Sequence, residues 1–176
     1  QAINYPVEVK SVSLKLEFKV SIGIDRFSLK NPPGFSDKKM VEINEIMLNL
    51  KLLPLLRRQI VINSITINDA EINIERNKDN YYNITVPKLQ KTEGPGFNIA
   101  FDKIVISKTA LSYTDAITKT EYQVKEMNQS IRFKQNLITI NGNQTIDMPK
   151  TKEIPALSIK IENTISYDTL TKDINI

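Results

Sequence analysis

Residues Ile60 to Ile84 read IVINSITINDAEINIERNKDNYYNI. Apolar residues stand at Ile60 and Ile62, at Ile65 and Ile67, and at Ile72 and Ile74. A spacing of two within each pair is that of a strand with one apolar and one polar face. The phase slips by one residue at Asn63-Ser64 and again at Asn68-Asp69. Unabsorbed, each slip would carry the later isoleucines to the opposite face, so a β-bulge or tight turn is required at both. Asn77-Lys78-Asp79-Asn80 are turn formers ahead of Tyr81-Tyr82. The stretch therefore reads as a bent strand and a hairpin, with branched aliphatics on one side only.

Working outward, the same pattern recurs. Val7 and Val9 share one phase, and Val12, Leu14, Leu16, Phe18, Val20, Ile22 and Ile24 share the other. That run exceeds the usual strand length of about 10 residues, so a turn is expected near Phe18-Lys19. After a slip at Asp25-Arg26 the pattern resumes at Phe27 and Leu29, until Asn31-Pro32-Pro33-Gly34-Phe35 stops the ladder. Val41 and Ile43, a slip at Asn44-Glu45, then Ile46, Leu48, Leu50 and Leu52 make the next strand. Leu52-Leu53-Pro54-Leu55-Leu56 breaks the alternation and suits a helical turn plugging an end of the sheet. Residues 85–96 are polar, with Pro87, Gly94, Pro95 and Gly96, and read as a linker. Ile99, Phe101, Ile104, Ile106, Leu111 and Tyr113 form a further bent strand, and weaker strands follow. Asn141-Gly142 carries a hairpin signal, and Leu157, Ile159 and Ile161 alternate again.

The slips recur at fixed distances. The pattern from Ile60 to Ile74 is matched from Ile99 to Tyr113 at an offset of 39, and its first half from Ile22 to Leu29 at an offset of 38. Such matches suggest a β-repeat whose units bury their faces only against neighbours; a meander of bulged strands is the plainer alternative. One domain over 1–176 is expected, with sub-units 7–84 and 97–176 joined by linker 85–96. The abrupt opening at Val7 suggests a piece of a longer chain.

Composition excludes much. The 176 residues contain no cysteine and no histidine, so disulfides, thiolate metal sites and the commonest general base are ruled out. Five glycines leave little material for phosphate-cradling loops. The net charge is +4, and most lysines alternate with apolar residues, as a solvated strand face would have them; no nucleic-acid partner is expected. No stretch approaches the ~20 apolar residues of a membrane span. Asp25, Asp69, Asp79 and Asp115 stand singly at turns and slips, where aspartate serves local hydrogen bonding. No catalytic residue, metal site or cofactor is assigned. Three matches to the glycosylation pattern, among them Asn83-Ile84-Thr85, fall within an asparagine-rich chain that produces them by chance.

Taken in order, Asn31-Pro32-Pro33-Gly34-Phe35-Ser36-Asp37, the strand from Val41, the Leu52–Leu56 turn, the strand from Ile60, and the hairpin Arg76-Asn77-Lys78-Asp79-Asn80-Tyr81-Tyr82-Asn83 resemble the AsmA family of bacterial envelope proteins. Ile99 to Ile131 resembles the family's next unit, with Tyr113-Thr114-Asp115 at its Y-x-D. Asn80 stands where the family usually has glycine, a position asparagine can also fill. The family's N-terminal membrane helix has no counterpart in this sequence.

The resemblance implies a periplasmic protein anchored to the inner membrane in its full length, through a segment absent here. It also implies kinship with bridge-like lipid-transfer proteins, whose curved sheets hold phospholipid or other acyl chains in an aliphatic groove between inner and outer membrane. The expected fold is all-β: a strongly curved, mainly antiparallel sheet forming a groove or half-barrel, with one or two short helical turns. The lining would comprise Ile22, Ile24, Phe27, Leu29, Ile43, Ile46, Leu48, Ile62, Ile65, Ile67, Ile72, Ile74, Phe101, Ile104, Ile106, Leu111 and Tyr113. Lys15, Lys19, Asn49, Thr66, Asn73 and Ser112 would lie on the wet face.

Arg57 and Arg58 are candidates for a lipid headgroup, arginine suiting phosphate geometry, with plain solvent-facing charge as the alternative. A one-sided aliphatic sheet must curl on itself, pair with a second sheet, or bind something greasy. A structural or outer-membrane assembly module with a closed apolar core therefore remains the alternative function. Edge-to-edge self-association of the sheet is a further expected partnership. An enzyme would need a carboxylate pair, and none is placed by a motif. Far-UV circular dichroism is expected to show less than about a quarter helix, against the ~30–35% of ordinary domains; a higher content would overturn the all-β assignment.

Overall fold

The computed structural model describes residues 6–17, 19–57, 59–84, 100–150 and 155–175, with the side chains of Ala100 and Phe101 excepted. The strands are β1 (Val7–Leu16), β2 (Lys19–Lys30), β3 (Lys39–Lys51), β4 (Val61–Arg76), β5 (Ala100–Phe101), β6 (Lys103–Asp115), β7 (Thr120–Lys134), β8 (Leu137–Met148), β9 (Leu157–Asp168) and β10 (Ile174–Asn175). One short helix, α1 (Leu52–Leu56), lies between β3 and β4. All ten strands belong to one sheet, in the order β1-β2-β3-β4-β6-β7-β8-β9-β10, with β5 beside β4. The sheet does not close: β1 and β10 are its edges. Every pairing is antiparallel except those of β4 with β5 and β6. The all-β, mainly antiparallel expectation holds, and so does the turn before Lys19. The linker at 85–96, Ile99, Arg58 and the side chain of Phe101 lie outside the described residues.

The phase slips are absorbed in two ways. At Asn63 the register between β3 and β4 shifts, Asn49 facing Ser64 and Leu50 facing Ile62, so Asn63 is the extra residue of a bulge. The other slips cause no shift between β1 and β6, because they fall opposite one another. Lys10 of β1, Arg26 of β2, Asn44 of β3, Asp69 of β4 and Lys108 of β6 occupy one transverse line, bracketed by the pairs Ser11–Asp25, Asp25–Glu45, Glu45–Asn68 and Asn68–Ser107. Arg26, Asp69 and Lys108 have left-handed backbones, at φ 52°, 55° and 49°. A left-handed residue takes up the odd residue of its strand, and alternation restarts beyond it in the opposite parity. Each costs about 1–2 kcal/mol outside glycine; the flanking ladders hold them there. Asn44 Nδ2 donates to Asp69 Oδ2 at 2.5 Å across this crease.

The crease continues into β7 at Glu126 (φ 53°) and ends there. No residue of β8 has a positive φ, so the register between β7 and β8 must shift, between Lys125 and Asn128. Gly142 faces this bulge. A Cβ at Gly142 would sit 2.1 Å from the Asn128 carbonyl oxygen and 2.4 Å from Gln129 Oε1. Asn141-Gly142 is therefore not the hairpin the dipeptide suggests. It lies mid-strand, its glycine required by close approach of the neighbouring backbone, and the chain turns instead at Gln135, φ 53°.

The offset of 39 is structural. Ile65, Ile67, Ile72 and Ile74 of β4 lie beside Ile104, Ile106, Leu111 and Tyr113 of β6 in parallel register. The offset of 38 has no such meaning, because Ile22 shares its row with Leu48 and Ile65, 43 positions on.

Two devices close the ends. At one, Leu52 and Leu55 of α1 pack on the cluster of Val20, Leu50 and Ile62, as the helical-turn reading requires. At the other, the fully buried Asn83 binds the Tyr81-Tyr82 hairpin to the proline turn. Its Oδ1 accepts from Glu75 N at 2.8 Å, and its Nδ2 donates to the Asn73 carbonyl at 2.7 Å and Asn31 Oδ1 at 2.8 Å. Asn31 Nδ2 and Ser36 N in turn donate to the Glu75 carboxylate, at 2.9 Å and 3.0 Å. The hairpin's Asn80 takes φ 67°, filling the position glycine usually holds. Gly142→Ala is expected to destabilise the sheet by about 1–3 kcal/mol, the usual cost of overpacking, measured as a lower denaturation midpoint; an unchanged midpoint would show that β7 can move aside.

Candidate functional site

Paired residues in a sheet project to the same face, so register converts sequence into rows. One row joins Leu14, Ile22, Leu48, Ile65, Ile104, Ile131, Ile140 and Ile165, one aliphatic from each of eight strands. A second joins Val7, Leu29, Val41, Ile72, Leu111, Val124, Ile146 and Ile159, again eight strands. The rows lie on opposite sides of the crease, and β8 decides whether they share a face. Ile140 and Ile146 alternate without interruption along β8, six positions apart, and so project to the same side. Both rows are therefore on one face, including Ile65 and Ile72 on either side of Asp69.

The remaining expected residues whose side chains are described fall on this face too. Ile24, Ile46, Ile67 and Ile106 form a row beside the crease, with Val12; Phe27 and Ile43 continue beyond it with Ala70. Ile74, Tyr113 and Tyr122 close one end, the tyrosine rings stacked at 6.4 Å. Ile62 pairs with Leu50 and, in β5, with Phe101. Sequence reasoning left out Val41, Val124, Ile131, Ile140, Ile146, Ile159 and Ile165. Leu14 and Val7 were left out as well; all but Ile146 and Ile165 were legible as strand, but the supposed hairpin at Asn141 cut β8 in two and hid the continuity of both rows.

The opposite face is polar, with cross-strand bonds from Ser21 Oγ to Asn49 Oδ1 at 2.8 Å and from Asn49 Nδ2 to Ser64 Oγ at 3.0 Å. Its wetness is uneven. Asn73, expected to face water, is only 6% exposed, because its amide donates to the Lys39 carbonyl and accepts from Ser112 Oγ.

Little covers the aliphatic face. Among the described residues only Val20, Met40, Ile43, Leu50, Ile62 and Ala70 are buried hydrophobics. The accessible surface is 13253 Å², against about 8,700 Å² expected of a compact protein of this size. At the α1 end Leu53 and Leu56 are each 74% exposed, Arg57 is exposed beside them, and a shallow cavity of about 360 Å³ lies between Lys19, Leu50, Leu52 and Pro54.

The Tyr113-Thr114-Asp115 motif builds the far end. Asp115 Oδ1 accepts from the backbone N–H of Ile117 and Thr118, at 2.8 Å and 3.1 Å, capping the β6–β7 turn. Oδ2 meets Arg76 at 3.2 Å and receives the Tyr113 hydroxyl at 3.3 Å. Burial alone would raise the Asp115 pKa, but the two N–H groups and the guanidinium outweigh it and hold the carboxyl below its ordinary value. Burial first, then the Tyr82 hydroxyl and the Asp115 carboxylate, push the Tyr113 hydroxyl up. Among the described residues no cluster of acidic side chains could hold a metal ion.

A family model, that of the AsmA family, matches residues 20–168. The chain belongs to the AsmA family. Membership places this AsmA chain among proteins associated with the bacterial envelope. The matched region runs from the second strand to the end of β9, and so takes in both end devices and all of the crease and the two aliphatic rows but their β1 members, Lys10, Leu14 and Val7. Neither the curated proteins nor the solved structures returned a match. No helix among the described residues of this AsmA chain is long and apolar enough to cross a membrane.

A carboxylate held below its ordinary pKa stabilises the fold above that value, and the stabilisation is lost as pH falls through the native pKa. The chain is therefore expected to lose stability on acidification below about pH 4. Asp115→Asn should melt earlier at neutral pH and show a shallower acid dependence. Thermal melts across that range check this; an acid dependence unchanged by the substitution would assign it to other carboxylates.

Proposed function

We propose that this chain is a non-catalytic lipid-binding module that holds the acyl chains of phospholipids or similar lipids on its aliphatic face. The observation carrying this reading is the pair of eight-strand aliphatic rows on one face of an open sheet. Water against such a surface is costly, at about 25 cal/mol per Å², and exposed apolar patches of more than a few hundred Å² mark interaction sites. Acyl chains suit rows that are continuous and featureless, because sliding along them neither makes nor breaks hydrogen bonds. The polar face stays in water throughout.

Within the envelope, the role we infer is that of a bridge-like lipid-transfer element in the periplasm, tethered to the inner membrane through a segment outside this sequence. Arg57, exposed next to Leu53 and Leu56, is the residue we assign to a lipid phosphate at the α1 end. The alternative of a closed-core assembly module is disfavoured by how few of the row residues are buried.

Ile67→Asp and Thr66→Asp form the test. Ile67 lies in an aliphatic row, and Thr66, one residue away, projects to the opposite face in a mixed row with Met47, Val105 and Ser130. Aspartate at 67 loses an aliphatic contact worth about 1.5–3 kcal/mol and sets an unpaired carboxylate against acyl chains. Phospholipid co-purifying with the protein, measured by mass spectrometry, should fall about tenfold or more for Ile67→Asp, as 1.4 kcal/mol is tenfold, and stay near wild type for Thr66→Asp. Thermal melting monitors folding in parallel. Equal retention by two folded variants would transfer the lead to the closed-core module.

A further inference from the structure

The aliphatic face is interrupted once, where the crease ends. In the row that begins with Ile24, Ile46, Ile67 and Ile106, the next three strands contribute Gln129, Gly142 and Asn163. Gln144, two positions beyond Gly142 on the unbroken β8, projects to the same face. Gly142 leaves a gap, and the Gln129 amide occupies it. Three uncharged amides thus lie together, each half-buried and all within the field between the two eight-residue rows.

Their hydrogen bonds are asymmetric. Gln129 Nε2 donates to both Gln144 Oε1 and Asn163 Oδ1, the latter at 3.0 Å, which uses both of its hydrogens. Asn163 Nδ2 returns one hydrogen to Gln129 Oε1 at 3.4 Å. An amide NH₂ has two hydrogens, so Asn163 keeps one and Gln144 keeps both. Three donors are left over, between two rows that are wholly aliphatic.

We propose that this amide cluster is a binding subsite for the ester carbonyls of an acyl lipid, an assignment that rests on the lipid-binding reading of the face. An acyl ester presents a neutral acceptor attached directly to an aliphatic chain. The cluster presents neutral donors attached to an aliphatic floor, with Ile140 and Ile146 each about 7 Å away along β8 at ~3.4 Å per residue. Chains lying along the rows would bring their carbonyls over Gln144 and Asn163. A phosphate would call for cationic partners, and none belongs to the cluster. The subsite selects a linkage, whatever headgroup the lipid carries.

The test uses two short-chain phosphatidylcholines identical except that one is diacyl and the other dialkyl, its ethers replacing the ester carbonyls. Each displaces a fluorescent fatty acid from the wild-type chain and from Gln129→Leu/Gln144→Leu/Asn163→Leu, which removes every amide of the cluster; Gln129 must go too, since losing its two acceptors would free its own hydrogens. Wild type is expected to bind the diacyl lipid about twofold to tenfold more tightly, the worth of one net hydrogen bond. The triple variant should bind both lipids equally and the dialkyl lipid at least as well as wild type does. Equal binding of the two lipids by wild type, or a preference that survives in the variant, overturns the subsite while leaving the lipid face intact. Failure of wild type to bind either lipid overturns both. If the triple variant melts early, Gln129→Met/Gln144→Met/Asn163→Leu, closer to the native volumes and equally free of amide donors, carries the same comparison.

Discussion

A sheet tolerates a change of phase in one strand only if its neighbours change with it. Side-chain direction alternates with a period of two, so a lone slip would set isoleucines against polar groups along the whole remaining ladder. Here six successive strands slip on one line, and across that line the register between the first five is unshifted. The left-handed residues that take up the odd positions include Arg26, Lys108 and Glu126, side chains with no intrinsic liking for that conformation. What holds them is collective: relaxing one would misalign two ladders at once. The aliphatic face exists because this line is continuous, and it changes character at the strand where the line stops.

That dependence explains why the family's short motifs are spread along the chain yet act together. The proline turn, the asparagine-rich hairpin and the tyrosine–aspartate motif meet at one end of the sheet, where Gly34, Ser36, Asn77, Asp79 and Thr114 line one shallow cavity of about 320 Å³. Asn31 and Asn83 tie the first two to the end of β4, while Arg76 and Asp115 tie β4 to β6 across the parallel pairing. The buried Asn83 amide is consumed by that role, which leaves no accessible acceptor for a glycan at the Asn83-Ile84-Thr85 pattern.

Much of this was legible in the residues. Period-two alternation located the long strands, and the slips at Arg26, Asn44 and Asp69 marked the crease without revealing that they align. Alignment is a matter of strand order and register, which a single sequence does not carry. Asn141-Gly142 misled for a related reason. Locally the dipeptide favours a tight turn, but glycine also yields to a neighbour's backbone, and the neighbour here is a bulge thirteen or more residues earlier in the chain. Asn73 misled because polarity was equated with exposure; its amide is buried by hydrogen bonds to residues far away in sequence. The amide cluster was invisible for the same cause, its three members being neighbours only across β7, β8 and β9.

The parallel pairing of β4 and β6 sets two copies of one pattern side by side, so the offset of 39 is at once a sequence period and a spatial registration. The two need not stay equal. Registration is enforced by the sheet, whereas the period also counts the residues connecting the strands, and loop closure grows costlier only logarithmically with length. Insertion of several residues between Ile84 and Ala100 would leave every row in place while changing the period. Relatives of the same architecture can therefore drift out of phase in sequence and remain superimposable in space, and their kinship is better sought in the spacing of slips within a strand than in the distance between strands.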